Sequence, residues 1–236
     1  MEANPDAATA LNVKSTKFLA TETQKRNILL IYISTDYVFP GRPGEAPYAT
    51  TDKPDPPNAY GRTKYEGEQA VLESTTQSGK VLGVILRVPL LYGHCEENDK
   101  SKSAVHPLVD SVYKASQLGS EDNRIKVDDY ALRFPTCTED VGRVLVDISK
   151  KYLEQNGAEQ LPRILQFSSE QKYTKWEMTK ILADILCLST DKLEPHDPSK
   201  DASEGSTQRP YDSHLDTSVL KGLGISVATE SFVGWW

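Results

Sequence analysis

Apolar residues along the chain fall into two periods. In 5–23, Ala8, Leu11, Ser15, Phe18 and Leu19 recur at i, i+3, i+4 and i+7, a spacing that predicts a helix. The run 28–33 (Ile-Leu-Leu-Ile-Tyr-Ile) is continuous and short, as in a strand buried on both faces of a parallel sheet. Prolines 40, 43, 47, 54, 56 and 57 with Gly41 and Gly44 make 38–58 a long loop, and such loops inside compact domains are usually functional. Helix returns over 60–78, with Ala70, Val71 and Leu72 inward. A second buried strand follows over 81–88, interrupted by Gly83 and ended by Pro89. Strand, helix, strand in succession argues a parallel βαβ unit. Beyond Gly93 the pattern predicts helices over 103–116 and 138–155, the second closed by Gly157, and a strand over 164–167. Thr174-Lys175-Trp176-Glu177 reads as a capping box opening a helix with Met178, Ile181, Leu182, Ile185 and Leu186 buried. The stretch 195–207 reads as polar loop.

Composition narrows the function. The 236 residues suffice for a sizeable core in one or two domains. A net charge of −7, from 27 basic and 34 acidic residues, argues against nucleic acid and anionic membrane surfaces as partners. No apolar run approaches the roughly 20 residues of a membrane helix, and the first residues lack the basic and apolar regions of a signal peptide. Cys95, Cys137 and Cys187 are too few and too scattered for a disulfide framework, and neither they nor the four histidines have metal-ligand spacing, so no metal site is expected. The expected compartment is the cytoplasm.

The chemistry concentrates in two segments, Ser34-Thr35-Asp36-Tyr37-Val38-Phe39 and Tyr60-Gly61-Arg62-Thr63-Lys64. Tyr60 and Lys64, at i and i+4 on a helix, project from one face within about 6 Å at Cβ. A free tyrosine has a pKa of about 10, too high for acid–base work near neutrality, and a fixed ammonium would lower it. Thr35 ends the first buried strand, the edge where α/β folds hold ligands. Its hydroxyl beside that of Tyr60 would make a proton-donating pocket for a carbonyl.

These segments, with Pro57-Asn58-Ala59 and Gly67-Glu68, resemble the extended short-chain dehydrogenases/reductases, in particular the dTDP-4-dehydrorhamnose reductase branch. Gln208-Arg209-Pro210, Leu215-Asp216 and Leu223-Gly224-Ile225 fit the same branch. Within it the chain resembles the regulatory beta subunits of methionine adenosyltransferase. That likeness runs through Asn4-Pro5-Asp6-Ala7-Ala8, Leu11-Asn12-Val13, Arg87 to Gly93, Arg133-Phe134-Pro135-Thr136 with Asp140-Val141, and Thr174 to Met178. The resemblance implies an α/β fold. A Rossmann-type parallel sheet, truncated at its N-terminus, would occupy 1–93, interleaved with a smaller α+β substrate-side and partner-binding lobe over 94–236. It implies a catalytic triad of Thr35, Tyr60 and Lys64, and a cofactor, NADP(H), met by Tyr60, Lys64 and Leu91. Asn12 matches the superfamily's structural asparagine.

The resemblance also implies a function: a non-catalytic regulatory subunit that binds the methionine adenosyltransferase catalytic subunit and modulates S-adenosylmethionine synthesis. The alternative is an NADPH-dependent reductase of a nucleotide-linked 4-keto sugar. Against the family pattern, the chain has neither Gly-x-Gly-x-x-Gly nor Gly-x-x-Gly-x-x-Gly, the turn that seats the pyrophosphate. That departure predicts weak or absent NADP(H) binding and leaves two readings, a fragment of a longer protein, which is favoured because the strand at 28–33 would otherwise be an exposed apolar edge, or a protein that has lost cofactor affinity. Trp235 and Trp236 predict an exposed apolar end, as a helix cut short or a partner-binding tail.

Overall fold

The computed structural model describes residues 4–74, 82–96, 103–154, 161–201 and 208–236. The chain enters through α1 (Pro5–Thr9), where the Asn4 side chain accepts from the Ala7 N–H and Pro5 fills a position that needs no donor. It widens into a π-turn over Ala10–Ser15 and resumes as α2 (Thr16–Lys25). The buried face is Ala8, Asn12, Thr16, Ala20 and Gln24. Of the stripe expected from periodicity only Ala8 is on that face; Ser15 is exposed, and Leu11, Phe18 and Leu19 are 65%, 66% and 51% exposed.

The reason for the reversal is closeness. Helix α3 (Ala59–Ser74) meets this segment at Gly67, where a Cβ would stand 2.5 Å from the Asn12 carbonyl oxygen and 2.4 Å from the Tyr32 hydroxyl. A backbone approach that tight admits only small or slender residues at the contact. Residues 75–78, expected to continue α3, lie outside the described residues, as do 81, 155 and 157.

Three parallel strands form the main sheet in the order β1–β2–β6: β1 (Leu30–Thr35), β2 (Gly83–Val88) and β6 (Ile164–Gln166). Gly83 opens β2 and does not interrupt it. Alternation along β2 divides its two faces. Val84, Leu86 and Val88 pack with Leu165, Phe167 and the Val141, Val144, Ile148 and Tyr152 stripe of α5 (Thr138–Glu154). Arg87 points the other way, and its Nε and Nη2 donate to Glu68 of α3 at 2.9 and 2.7 Å. β1 is an edge of this sheet, with Leu30–Ile33 half-buried.

The remaining strands form two parallel pairs. β3 (Leu91–Tyr92) pairs with β5 (Thr136–Cys137), and β4 (Ile125–Asp128) with β7 (Leu193–His196). Pro195, expected in a loop, sits within β7, which has a single neighbour and can spare a donor. Helix α4 (His106–Ser116) starts after Ser103, whose Oγ accepts from the Val105 and His106 N–H groups. Helix α6 (Lys175–Ile185) carries the expected capping box: the Glu177 N–H donates to Thr174 Oγ1 and the Thr174 N–H to Glu177 Oε2.

After α7 (Ser218–Gly222) the chain ends in α8 (Phe232–Trp235). The terminal tryptophans are not an exposed tail. Trp235 packs edge-on to Tyr92 at 5.6 Å, and Trp236 lies against Trp235 and His106, because the sheet edge at Tyr92 supplies the apolar surface they need. Among the described residues, no helix is long and apolar enough to cross a membrane.

Candidate functional site

A cavity of about 550 Å³ opens at the carboxyl ends of β1 and β2, where Thr35 lies in register with Val88. Thr35, Tyr60, Lys64 and Leu91 all line it, so the four residues chosen from sequence stand around one space. Tyr60 reaches it from the first turn of α3. That turn seats against the loop after β1 at Gly61, where a Cβ would lie 2.1 Å from the Tyr37 carbonyl oxygen. Asn12 is buried on the π-turn and donates to Thr63 Oγ1 at 3.0 Å, tying that irregular turn to α3 between Tyr60 and Lys64. π-turns frequently mark functional sites.

The electrostatics differ from the sequence expectation. Burial pushes the Tyr60 phenol above its ordinary value; a hydrogen bond with Thr35 works against this and the Asp36 charge adds to it. Lys64 Nζ donates to the Ile33 carbonyl at 2.6 Å and stands 4.2 Å from the Tyr32 ring centroid, so the ammonium is turned toward β1. Burial lowers Lys64 itself to about 8, with Glu68 partly restoring it. Thr35 donates to Asp36 Oδ1 at 3.0 Å and accepts from the Tyr37 N–H. Asp36 is pushed up by burial, against the Ser213 hydroxyl, the Arg133 charge and Thr35. Its second oxygen accepts from Ser213 Oγ at 2.6 Å. Ser213 belongs to a segment that clasps the proline-rich loop, through Tyr211 and Asp212 N–H groups to Gly41 O and through Asp216 N–H to Tyr48 O.

Sequence reasoning did not single out Asp36, Ser213, Lys175 or the cavity role of Arg133. Arg133 is 4% exposed and lines the cavity with Lys175. The available signal was weak: an arginine set between apolar neighbours in Leu132-Arg133-Phe134.

The family model described as the RmlD substrate binding domain matches residues 1–231. The chain belongs to that family. It is 36% identical to methionine adenosyltransferase 2 subunit beta of Xenopus tropicalis over 234 residues, 99% of this chain and 64% of that protein. For the Danio rerio subunit the figures are 35% over 232 residues, 98% and 65%. The chain thus spans a little under two thirds of the length of these curated relatives. Among solved structures it resembles dTDP-4-dehydrorhamnose reductase of Bacillus anthracis in complex with NADP, with TM-score 0.73, 24% identity, and 97% of this chain and 71% of that one covered. The Clostridium acetobutylicum orthologue gives TM-score 0.76, 22% identity, 97% and 71%. The fold is therefore the α/β, Rossmann-type fold of extended short-chain dehydrogenases/reductases.

Proposed function

We propose that this chain acts as a regulatory beta-type subunit of methionine adenosyltransferase: a cytoplasmic protein that binds the catalytic subunit and modulates S-adenosylmethionine synthesis. The observation that carries the reading is the 36% identity to a subunit of that name along nearly the whole chain. The reading predicts co-purification of the chain with a methionine adenosyltransferase catalytic subunit and a changed rate of S-adenosylmethionine formation in the mixed sample. Failure of the two to associate at micromolar concentrations would overturn it.

A second reading has its own support, the meeting of Thr35, Tyr60 and Lys64 around one cavity. It makes the chain an NADPH-dependent reductase of a nucleotide-linked 4-keto sugar. Bound NADPH would supply hydride. Tyr60 would pass the phenolic proton to the carbonyl oxygen. Thr35, its own proton held by Asp36 while that carboxylate is ionised, would fix the Tyr60 hydroxyl and not itself donate to substrate. Lys64 and Tyr60 would meet the nicotinamide ribose, and Leu91 would line the nicotinamide. These residues fit only that end of the cofactor: the sequence has no glycine-rich turn for the pyrophosphate. NADPH oxidation in the presence of dTDP-4-dehydrorhamnose, lost in Tyr60→Phe, is the outcome that would favour this reading over regulation.

A further inference from the structure

Backbone pairing leaves one side of β1 unanswered. Successive residues of a strand turn their N–H and C=O groups to opposite sides. The Leu30 N–H donates to the Leu82 carbonyl at 2.8 Å, so Leu30, Tyr32 and Ser34 face β2. Ile31 and Ile33 therefore face the other way, where β1 has no neighbour among the described residues. Edge strands are normally blocked by a charge, a proline or a bulge. Residues 28–35 hold no charge and no proline, and the register with β2 runs unbroken from Leu30 to Thr35. The cover that the described residues supply is Lys64, whose Nζ donates to the Ile33 carbonyl.

Helix α2 turns this edge into a groove. It packs beside α3, which lies over β1 and β2. Tyr32 reaches up to both: its hydroxyl bonds with Thr16 and stands where a Cβ on Gly67 would be. Packed helices lie about 8–10 Å apart, two strand spacings of about 4.8 Å, so α2 overhangs the space beside β1. Phe18 and Ile28, both exposed, line a cavity of about 270 Å³ there with Glu22, Thr23 and Arg26. On the opposite face of the strand, Leu29, Ile31 and Ile33 are only partly covered by the core.

The groove selects its occupant. A second copy of the chain would bring its own α2 and α3 into the space that α2 already overhangs. It would also set Lys14, Lys17, Lys25 and Arg26 against their equivalents, with Asp6 and Glu22 the only acids over 4–26. A single strand fits beneath the overhang. We propose that the open edge of β1, roofed by α2, receives an extended polypeptide segment of another protein as an added strand, with apolar side chains on both faces and a carboxylate beside Lys64. Backbone bonds to Ile31 and Ile33 give the affinity, and side chains beneath α2 meet Phe18 and Ile28. Lys64 gives the polar selection. Glu68, the carboxylate that acts on it, is engaged with Arg87, so a carboxylate of the segment finds a half-buried ammonium to meet. This holds whether or not the chain regulates methionine adenosyltransferase, and it is tested on the chain alone.

The test is amide hydrogen exchange by NMR on the 236-residue chain. The probe is acetyl-Glu-Val-Ile-Val-Thr-Val-Glu-amide, about the length of an ordinary strand. Without it, the Ile31 and Ile33 amides should exchange faster than that of Tyr32, which faces β2. Saturating peptide should slow those two roughly tenfold or more and leave Tyr32 unchanged. The peptide with its central amides N-methylated, which cannot complete the ladder, and the peptide with Lys for Glu should each bind roughly tenfold more weakly or worse. Phe18→Asp, at an exposed position, should weaken the parent peptide similarly, while Tyr113→Asp, on α4, should bind it as the parent chain does. Should Phe18→Asp not fold, the exchange measurement on the parent decides alone. No saturable binding with the peptide in the millimolar range, unchanged exchange at Ile31 and Ile33 in the complex, or equal binding of either altered peptide would each overturn the proposal. So would a dimer in sedimentation that Phe18→Asp dissociates, because a second copy would then occupy the groove.

Discussion

Two arginines are buried to nearly the same degree and live in opposite circumstances. Arg87 is 1% exposed and fully answered: Glu68 takes two of its donors, Gln166 Oε1 a third at 3.2 Å, and the Phe39 ring lies 5.0 Å from its Cζ. Arg133 is 4% exposed and, among the described residues, both its terminal nitrogens lack hydrogen-bond partners. Burial alone therefore does not tell a paired charge from one whose hydrogen bonds are unmade. Arg87 locks β2 to α3 and, through Gln166 Nε2, to the Tyr48 and Asp216 carbonyls, so it holds the helix that carries Tyr60 and Lys64. Among the described residues, Arg133 holds no element to another through its Nη groups.

The sharpest way to break that contrast is to remove the partner of Arg87. Glu68→Gln keeps the shape and leaves a buried cation uncompensated, at a cost of about 3–5 kcal/mol. That is a large share of the roughly 5–15 kcal/mol by which domains are stable. Urea unfolding monitored by tryptophan fluorescence reads it. A loss below about 1 kcal/mol, the worth of an exposed pair, would show that Arg87 is solvated after all.

Next in size is Gly67→Ala. The added methyl would meet the Asn12 carbonyl and the Tyr32 hydroxyl, forcing the π-turn and α3 apart. Overpacking of this kind costs about 1–3 kcal/mol. The same unfolding assay measures it, and a variant as stable as the parent would mean that the two helices separate freely.

How much of this was legible beforehand depends on how local the cause is. The stripe of α5 and the capping box of α6 are set by residues a turn apart, and pattern finds them. Tyr60 and Lys64 share a helix face, so their common cavity follows from spacing and resemblance together. The buried face of α1 and α2 was misread because Gly67, some fifty positions on, decides what fits there. The direction of Lys64 was missed for a similar reason: the Ile33 carbonyl and the Tyr32 ring attract it from another element. An unpaired arginine cannot be seen in sequence at all, since its partners are defined only by tertiary placement.

Lys64 gives a smaller, pH-dependent effect. Its folded pKa is about 8, against roughly 10.4 for an unfolded lysine. Between these values the unfolded chain binds more protons, so stability rises with pH across that window, by on the order of 3 kcal/mol for this group before solvent screening and less after it. Below pH 8 both states are charged and the group contributes no slope. Cys137, raised to about 11, and the raised phenols of Tyr32 and Tyr60 act in the opposite sense, because their unfolded forms ionise first as pH rises. The difference between the parent and Lys64→Met isolates the lysine: it should change between pH 8 and 10 and be flat from pH 6 to 7.5. A constant difference over the whole range would mean that Lys64 keeps an ordinary pKa.

The smallest expected effect is the most informative, because it is the other half of the comparison. Replacing a buried guanidinium whose terminal nitrogens have no hydrogen-bond partner among the described residues by an apolar residue of similar length removes a desolvation penalty, breaks no hydrogen bond at those nitrogens, and gives up only the attraction to Asp36 and the contact with the Tyr37 ring. Arg133→Met should therefore change unfolding stability by less than about 1 kcal/mol, in either direction. A loss for Arg133→Met as large as that for Glu68→Gln would place both arginines in the same structural class and remove the reason for separating them.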